Sequence, residues 1–350
     1  MAYTVKEADV QKEKPIMVEI LQQNRQRADF DYGARYDWIY LNNPLGKAKA
    51  WIIWNEKNNE PVGFTGVFPR AVYINGKRYV GWNCGDFSIH KKYRTLGIAL
   101  KLRRAAKDAV DGGEVPFLYA HPNERMEVIH LKAGHQKIAR MQRYAMLLRT
   151  DRLLSRLIPA GALQKMISAP LNVMLSTQYR FVGADGWSAE LRSEVMAEQR
   201  HEEIFKAMVS RFPVIGARDT EYLNWKFGSN PNHRFLQMDI YKYNELAAVL
   251  FYYIRQDTVN LVDVLIKDVD HDAAAVFAFF ITTVVKEYED VTSLSFILQE
   301  YNPLIPVLQS LGFVFRNDAT SGLISYAGPE LAKEILEGTK WFMTVGDRDA

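Results

Sequence analysis

From Ala48 to Ile89 apolar and polar residues alternate along most of the chain, the two-residue period of strands that bury one face. Turn dipeptides punctuate the run at Asn58–Asn59 and Asn75–Gly76, the second being the pair that closes tight hairpins. The pattern predicts strands over 48–54, 61–74 and 82–89, joined as an antiparallel meander. At Lys91 the alternation stops. From Ile98 the apolar residues recur at helical spacing through Leu102, Ala105, Ala106 and Val110. Residues 82–110 therefore read as strand, tight loop and basic helix. Gly112–Gly113 ends that helix, 116–120 is a short strand, 124–132 a helix stopped by Gly134, and 138–148 a closing strand pair.

Before this run, residues 1–30 are polar, with Ile16, Val18 and Leu21 suggesting one amphipathic helix. Aromatics crowd 30–45 (Phe30, Tyr32, Tyr36, Trp38, Tyr40), as core, as a lid over it or as a pocket wall. After it, 151–181 is apolar and broken by Pro159, Gly161 and Pro170, which suggests a helical connector, and 189–212 reads as an amphipathic helix. The second half then echoes the first. Tyr222, Leu223, Trp225 and Phe227 repeat the aromatic stretch, and strands over 234–241, 246–255 and 260–266 precede a helix at 273–288 and a strand at 293–298. Asn302 to Gly312 nearly reproduces the interval from Asn123 to Gly134, the trace of a tandem repeat. The divisions expected are 1–150, a connector at 151–212, and 213–350.

A chain of 350 residues is long for one domain and comfortable for two. Its net charge of +3 is mild, so a nucleic-acid partner would need local clustering of cations. The single Cys84 excludes an internal disulfide and a Cys-cluster zinc site, and no metal is expected. Lys6, Glu7 and Asp9 interrupt any signal peptide, and no apolar run approaches the roughly 18 residues of a membrane span. The expected compartment is the cytoplasm.

The chemistry concentrates where the strand 82–89 gives way to the basic helix. A Gly at such a corner leaves main-chain N–H groups open to a ligand at the positive end of the helix dipole, a site for phosphate. The residues are Arg94–x–x–Gly97–x–Ala99, with neither Rossmann nor P-loop spacing. This resembles the pyrophosphate-binding loop of the GNAT superfamily of acyl-CoA-dependent N-acyltransferases, and the element order fits that family too. The resemblance implies an α+β fold with a mixed sheet: two tandem GNAT-like domains in a Fem-like arrangement, each a mostly antiparallel sheet flanked by helices.

It also implies roles. The backbone of Phe87, Ser88 and Ile89 would pair with the pantetheine arm. The amides of Thr95, Leu96, Gly97, Ile98 and Ala99 would hold the pyrophosphate with Arg94 adding charge, and Lys91, Lys92, Lys101 and Arg104 would meet the adenosine phosphate. Asn123 would orient an amide of the pantetheine or substrate. Asp86, on the strand beside the thioester position, is the first choice of general base, with His121 a further candidate. The chain departs from the family at its usual acid, carrying His130, a candidate that inherits the acid's place, where the family has Tyr, and His135 where it has Phe. The second unit has no such loop, has Leu308 at the place of His130, and sets Asp268, Asp270 and Asp272 where a phosphate would lie, so it is expected not to bind CoA in the usual way.

The expected function is acyl-CoA-dependent, in the first instance acetyl-CoA-dependent, N-acylation of a small-molecule or sugar-like amine. The alternatives are a Fem-type aminoacyl transferase, a non-catalytic CoA-binding protein, and a nucleic-acid-binding protein using the stripe Lys91–Lys107. Only Tyr93 stands among those cations as a stacking aromatic.

Overall fold

The computed structural model describes residues 3–25, 30–151, 154, 162–179 and 185–348. Its first half runs β1 (Tyr3–Glu7), α1 (Lys14–Arg25) and α2 (Tyr32–Tyr36), which continues as a π-helical turn over Asp37–Leu41. It proceeds through β2 (Lys49–Asn55), β3 (Glu60–Ile74), β4 (Lys77–Ile89), α3 (Leu96–Asp111), β5 (Phe117–Ala120), α4 (Glu124–Lys132) and β6 (Gln136–Leu147). The second half runs α5 (Ala162–Gln178), β7 (Trp187–Arg192), α6 (Gln199–Arg211), β8 (Val214–Gly216) and α7 (Thr220–Leu223), which again enters a π-helical turn, Asn224–Gly228. Then come β9 (Leu236–Lys242), β10 (Glu245–Arg255), β11 (Thr258–Ile266), α8 (Val269–Glu287), β12 (Ser293–Gln299), α9 (Leu304–Ser310), β13 (Val314–Ala327), α10 (Ala332–Ile335) and β14 (Trp341–Phe342).

The mixed sheet and flanking helices are those the sequence predicts, and both halves lie in one continuous sheet of order β1-β2-β3-β4-β5-β13-β6-β12-β11-β10-β9-β7. The halves exchange their closing strands. β13, from the second half, inserts between β5 and β6, with Ile324 opposite Ala120 and Val314 opposite Ala145. β6, from the first half, lies between β13 and β12, with Ser293 opposite Leu147. Period-two alternation says that a segment is a strand but not which edge it joins, so this exchange is invisible in sequence.

Three local readings need correction. Residues 138–148 form one long strand rather than a pair, because no turn residue interrupts them. The predicted helix 189–212 divides into β7 and α6, which starts only at Gln199. There the Glu198 side chain and the His201 ring form a reciprocal capping box. The polar N-terminus contributes β1, which pairs with β2 in addition to α1. Of the connector predicted over 151–181, α5 is helical through Pro170, and residues 152–153, 155–161 and 180–181 lie outside the described residues.

α3 buries Ile98, Leu102, Ala106 and Val110 against the sheet, the stripe its periodicity predicts. Burial of each of the three larger side chains, Ile98, Leu102 and Val110, stabilises by about 1.5–3 kcal/mol. A buried ionic knot ties the halves together: Asp347 meets Arg70 of β3 at 2.8 Å and Arg218 at 2.7 Å, and Arg218 reaches Asp263 of β11 at 3.0 Å. All four side chains are almost wholly excluded from water. No helix among the described residues is long and apolar enough to cross a membrane.

Candidate functional site

β4 and β5 run parallel and pair only at Trp82–Leu118, Asn83–Tyr119 and Cys84–Ala120. Beyond that point the strands part. On its other side β4 stays paired to β3 as far as Ile89. The cause is a bulge at Asp86, whose φ of 47° re-aims the strand, so that Gly85 faces Gly66 while Ser88 faces Phe64. The edge of β4 over Phe87, Ser88 and Ile89 thereby opens on a cleft of about 380 Å³, lined also by Arg94, Thr95, Leu96, Ala99 and Asn123. An extended ligand arm could add there as a strand.

The corner after β4 is open. Thr95 caps α3, accepting from the Ile98 amide at 3.4 Å, while its own amide donates to Tyr93 and its carbonyl accepts from Ala99. Among the five amides implied for pyrophosphate, those of Thr95, Ile98 and Ala99 thus have partners. Leu96 and Gly97, in the first helical turn, have donors with no partner among the described residues. A Cβ on Gly97 would meet nothing within 4 Å, so the space beside this residue is open. Arg94 is braced beside it, donating to the Ile89 carbonyl at 2.9 Å and to Asn24 at 2.5 Å. Asn24 in turn donates to Ser88 at 2.7 Å. Asn123 caps α4 by accepting from the Met126 amide at 3.1 Å.

Asp86 is 2 % exposed and bonded to Arg35 at 2.6 Å, with Arg25 at 3.0 Å and the Tyr40 hydroxyl at 3.3 Å. Burial raises its pKa, but the guanidiniums of Arg35 and Arg25 outweigh that and hold the carboxyl below its ordinary value. Asp86 is thus an anchored anion with low proton affinity. What it anchors is Arg25, which projects from α1 into the cleft.

A second cleft, of about 660 Å³, lies between the halves. Arg25 and Asn123 line both clefts and mark where they meet. His121, at the end of β5, also faces the second cleft, and neither ring nitrogen has a hydrogen-bond partner. Burial, then the neighbouring Arg348, with Lys226 adding and Asp347 opposing, pushes its pKa down to about 3. Its imidazole is neutral at neutral pH. Sequence reasoning passed over Asn24, Arg25, Lys226, Arg255 and Arg348 because each comes from a segment remote in the chain from the phosphate corner, with no motif of its own.

His130 is not brought to this junction. It is 3 % exposed, lines neither cleft, and lies 2.7 Å from His135, Nδ1 to Nδ1. Burial and Arg103 keep both rings neutral, His130 well below its ordinary pKa and His135 at about 3. The basic stripe of α3 is broken as well: Arg103 is buried, Lys107 pairs with Asp111, and Lys101 donates to the Tyr3 carbonyl. In the second half the equivalent helix, α8, is capped by Asp268, while Asp270 and Asp272 pair with Arg211 and Lys242. Carboxylates thus occupy the corner that phosphate would need. Leu308 is wholly buried.

Compared by sequence, the chain matches no family model and no curated protein. Compared by structure, it is similar to a GCN5-related N-acetyltransferase from Anabaena variabilis (TM-score 0.66, 13% identity, 93% of this chain and 73% of that one). It is similar to the N-myristoyltransferase of Saccharomyces cerevisiae with bound myristoyl-CoA (TM-score 0.57, 12% identity, 93% and 79%). A tandem GNAT protein from the clavulanic acid biosynthesis pathway matches over nearly its whole length (TM-score 0.56, 11% identity, 94% and 99%). With its splayed strands, open helix corner and repeated halves, this chain has the tandem GNAT fold.

Proposed function

We propose that the protein transfers an acyl group from acyl-CoA to an amine, with the donor in the cleft beside β4 and the acceptor in the cleft between the halves. The observation that carries this reading is the meeting of the two clefts at Arg25 and Asn123, with Leu96, whose amide opens the first turn of α3 ahead of that of Gly97, lining the cleft beside β4. Similarity to acyltransferases of the same fold supports it by analogy.

In this reading the pantetheine arm runs along Phe87–Ile89, and the diphosphate sits on the Leu96 and Gly97 amides, within reach of Arg94. The acceptor nitrogen attacks the thioester carbonyl, the C–N bond forms, the C–S bond breaks, and the thiolate takes a proton. His121 is our choice to accept a hydrogen bond from the attacking amine and so orient it, because its nitrogens have no partner among the described residues and its neutral ring keeps a lone pair. With a pKa of about 3 it does not keep the proton, which passes from the amine to the leaving thiolate. Asp86 holds Arg25 in position rather than titrating. Asn123 presents its amide NH2 to the donor or the developing oxyanion, and the buried His130–His135 pair is structural. Acetyl-CoA is the simplest donor.

Calorimetric titration with acetyl-CoA and with a long-chain acyl-CoA tests the donor, on wild type and on Gly97→Glu. Because the space over Gly97 is open, the Glu side chain fits the fold, and its charge lies where a phosphate belongs. Binding to wild type, weakened by about tenfold or more in the variant (about 1.4 kcal/mol), is the expected result. Failure of any acyl-CoA to bind wild type overturns the reading.

A further inference from the structure

We propose that the acceptor is anionic: an amine on a flat or apolar body that also carries a carboxylate or a phosphate. This rests on assigning the acceptor to the cleft between the halves. Among the described residues the cleft is lined by Arg25, Lys226, Arg255 and Arg348, and by no carboxylate. The chain as a whole carries 44 basic and 41 acidic residues, so four cations without an acid are not a consequence of composition. The nearest acids face elsewhere. Asp86 lies behind Arg25 against Arg35, and Asp347 is engaged by Arg70 and Arg218.

Two of the cations have no counter-charge among the described residues. The Arg255 and Arg348 side chains make no ion pair or hydrogen bond among the described residues, and Arg348 is only half-exposed. Unpaired guanidiniums beside apolar walls favour a ligand that brings the missing charge, and their planar fork suits the two oxygens of a carboxylate or phosphate. A second built feature is His121, half-buried and facing the same space, whose two ring nitrogens are buried and have no partner among the described residues. A ligand nitrogen can meet it.

The remaining wall is aromatic. His233, Phe235 and Tyr253 form a trio with ring centroids 5.7 to 5.9 Å apart, all three facing the cleft. Such a surface receives a planar or apolar body. The acceptor therefore turns its amine toward the junction at Arg25 and Asn123 and its negative group toward Arg255 and Arg348.

Two measurements test this. The first needs no turnover: thermal unfolding of wild type and of the Arg255→Gln/Arg348→Gln double variant is followed in acetate and in inorganic phosphate at constant ionic strength. At least one anion should raise the wild-type Tm, and the double variant should lose that shift; equal shifts in both proteins overturn the proposal. The second is acylation from acetyl-CoA of matched pairs, phenylalanine with phenethylamine and glucosamine 6-phosphate with glucosamine. The charged member of one pair should be favoured by about tenfold or more in kcat/KM, equivalent to about 1.4 kcal/mol, and the favoured pair identifies carboxylate or phosphate. Arg255→Gln should raise KM for the charged member and not for its neutral partner. Preference for the neutral member in both pairs overturns the proposal, as does competition of the anionic amines with acetyl-CoA. If acyl-CoA fails to bind while the anion-dependent Tm shift persists, the acyltransferase reading falls and the anion site stands.

Discussion

Trp38 and Trp225 stack with ring centroids 4.8 Å apart, and each indole donates to the other's backbone carbonyl, Trp38 to Trp225 at 2.9 Å and Trp225 to Trp38 at 3.2 Å. Each lies in the π-helical turn of its own half. The contact is reciprocal, as at a two-fold interface, but both partners belong to one chain. It closes the molecule beside the cleft between the halves, where Lys226 lies 5.6 Å from the Trp38 ring.

Trp225→Phe keeps an aromatic face but removes one indole donor and leaves the buried Trp38 carbonyl short of a partner. It should destabilise the protein by about 1–3 kcal/mol. The double variant Trp38→Phe/Trp225→Phe should cost less than the sum of the two single variants, because they share one interaction. Denaturant midpoints of the four proteins check this.

Asp86→Asn removes the carboxylate charge that Arg35, 2 % exposed, meets at 2.6 Å, so a loss of about 3–5 kcal/mol is expected. Asn tolerates the left-handed backbone at this bulge, so the loss reports charge rather than strain. The pKa of Asp86 is depressed in the folded state. Its contribution is therefore present above the unfolded carboxyl value of 3.8 and lost as pH falls below it. Unfolding of wild type and variant should thus converge in strong acid.

His130 and His135 act with the opposite charge sense but the same pH direction. Both rings are held neutral in the fold, below the ordinary value of 6.5, so the unfolded chain binds protons that the folded one does not. Stability is full above about pH 6.5 and falls on acidification, each ring contributing up to about 1.4 kcal/mol per pH unit. Tm measured from pH 7.5 to 4.5 should decline, and His135→Asn should flatten the decline.

Gly97→Ala separates fold from ligand. The added methyl enters empty space at a helical position, so the free protein should gain about 0.5–1 kcal/mol. If the diphosphate packs against the bare main chain there, acyl-CoA affinity should fall in the same variant. Thermal unfolding and calorimetry on one preparation read both effects.

Replacing His121 by Leu should lower kcat by about 10²-fold while leaving acyl-CoA affinity as in wild type, because the ring faces the cleft between the halves rather than the one beside β4. A parallel change in His130 should alter stability more than turnover. An inversion of these two outcomes would return the proton-transfer role to the position that the family resemblance suggests.

The amino-acid sequence by itself determined the local features: the strand, loop and helix around Gly97, the hairpin at Asn75–Gly76, the stripe that α3 buries, and the echo of Trp38 in Trp225. Each of these depends on neighbours a few residues apart, where side-chain period and turn chemistry act directly. Only the tertiary structure decided the rest. Arg35 and Asp86 are 51 residues apart and Arg70 and Asp347 277 apart. Whether a carboxylate serves as a base or is spent on a guanidinium depends on partners that no periodicity predicts. The exchange of β6 and β13 has the same origin, because the backbone groups that pair strands are identical in every residue but proline and name no partner. The cleft's positive lining arises in the same way, assembled from side chains of both halves that acquire a common charge only when the fold collects them.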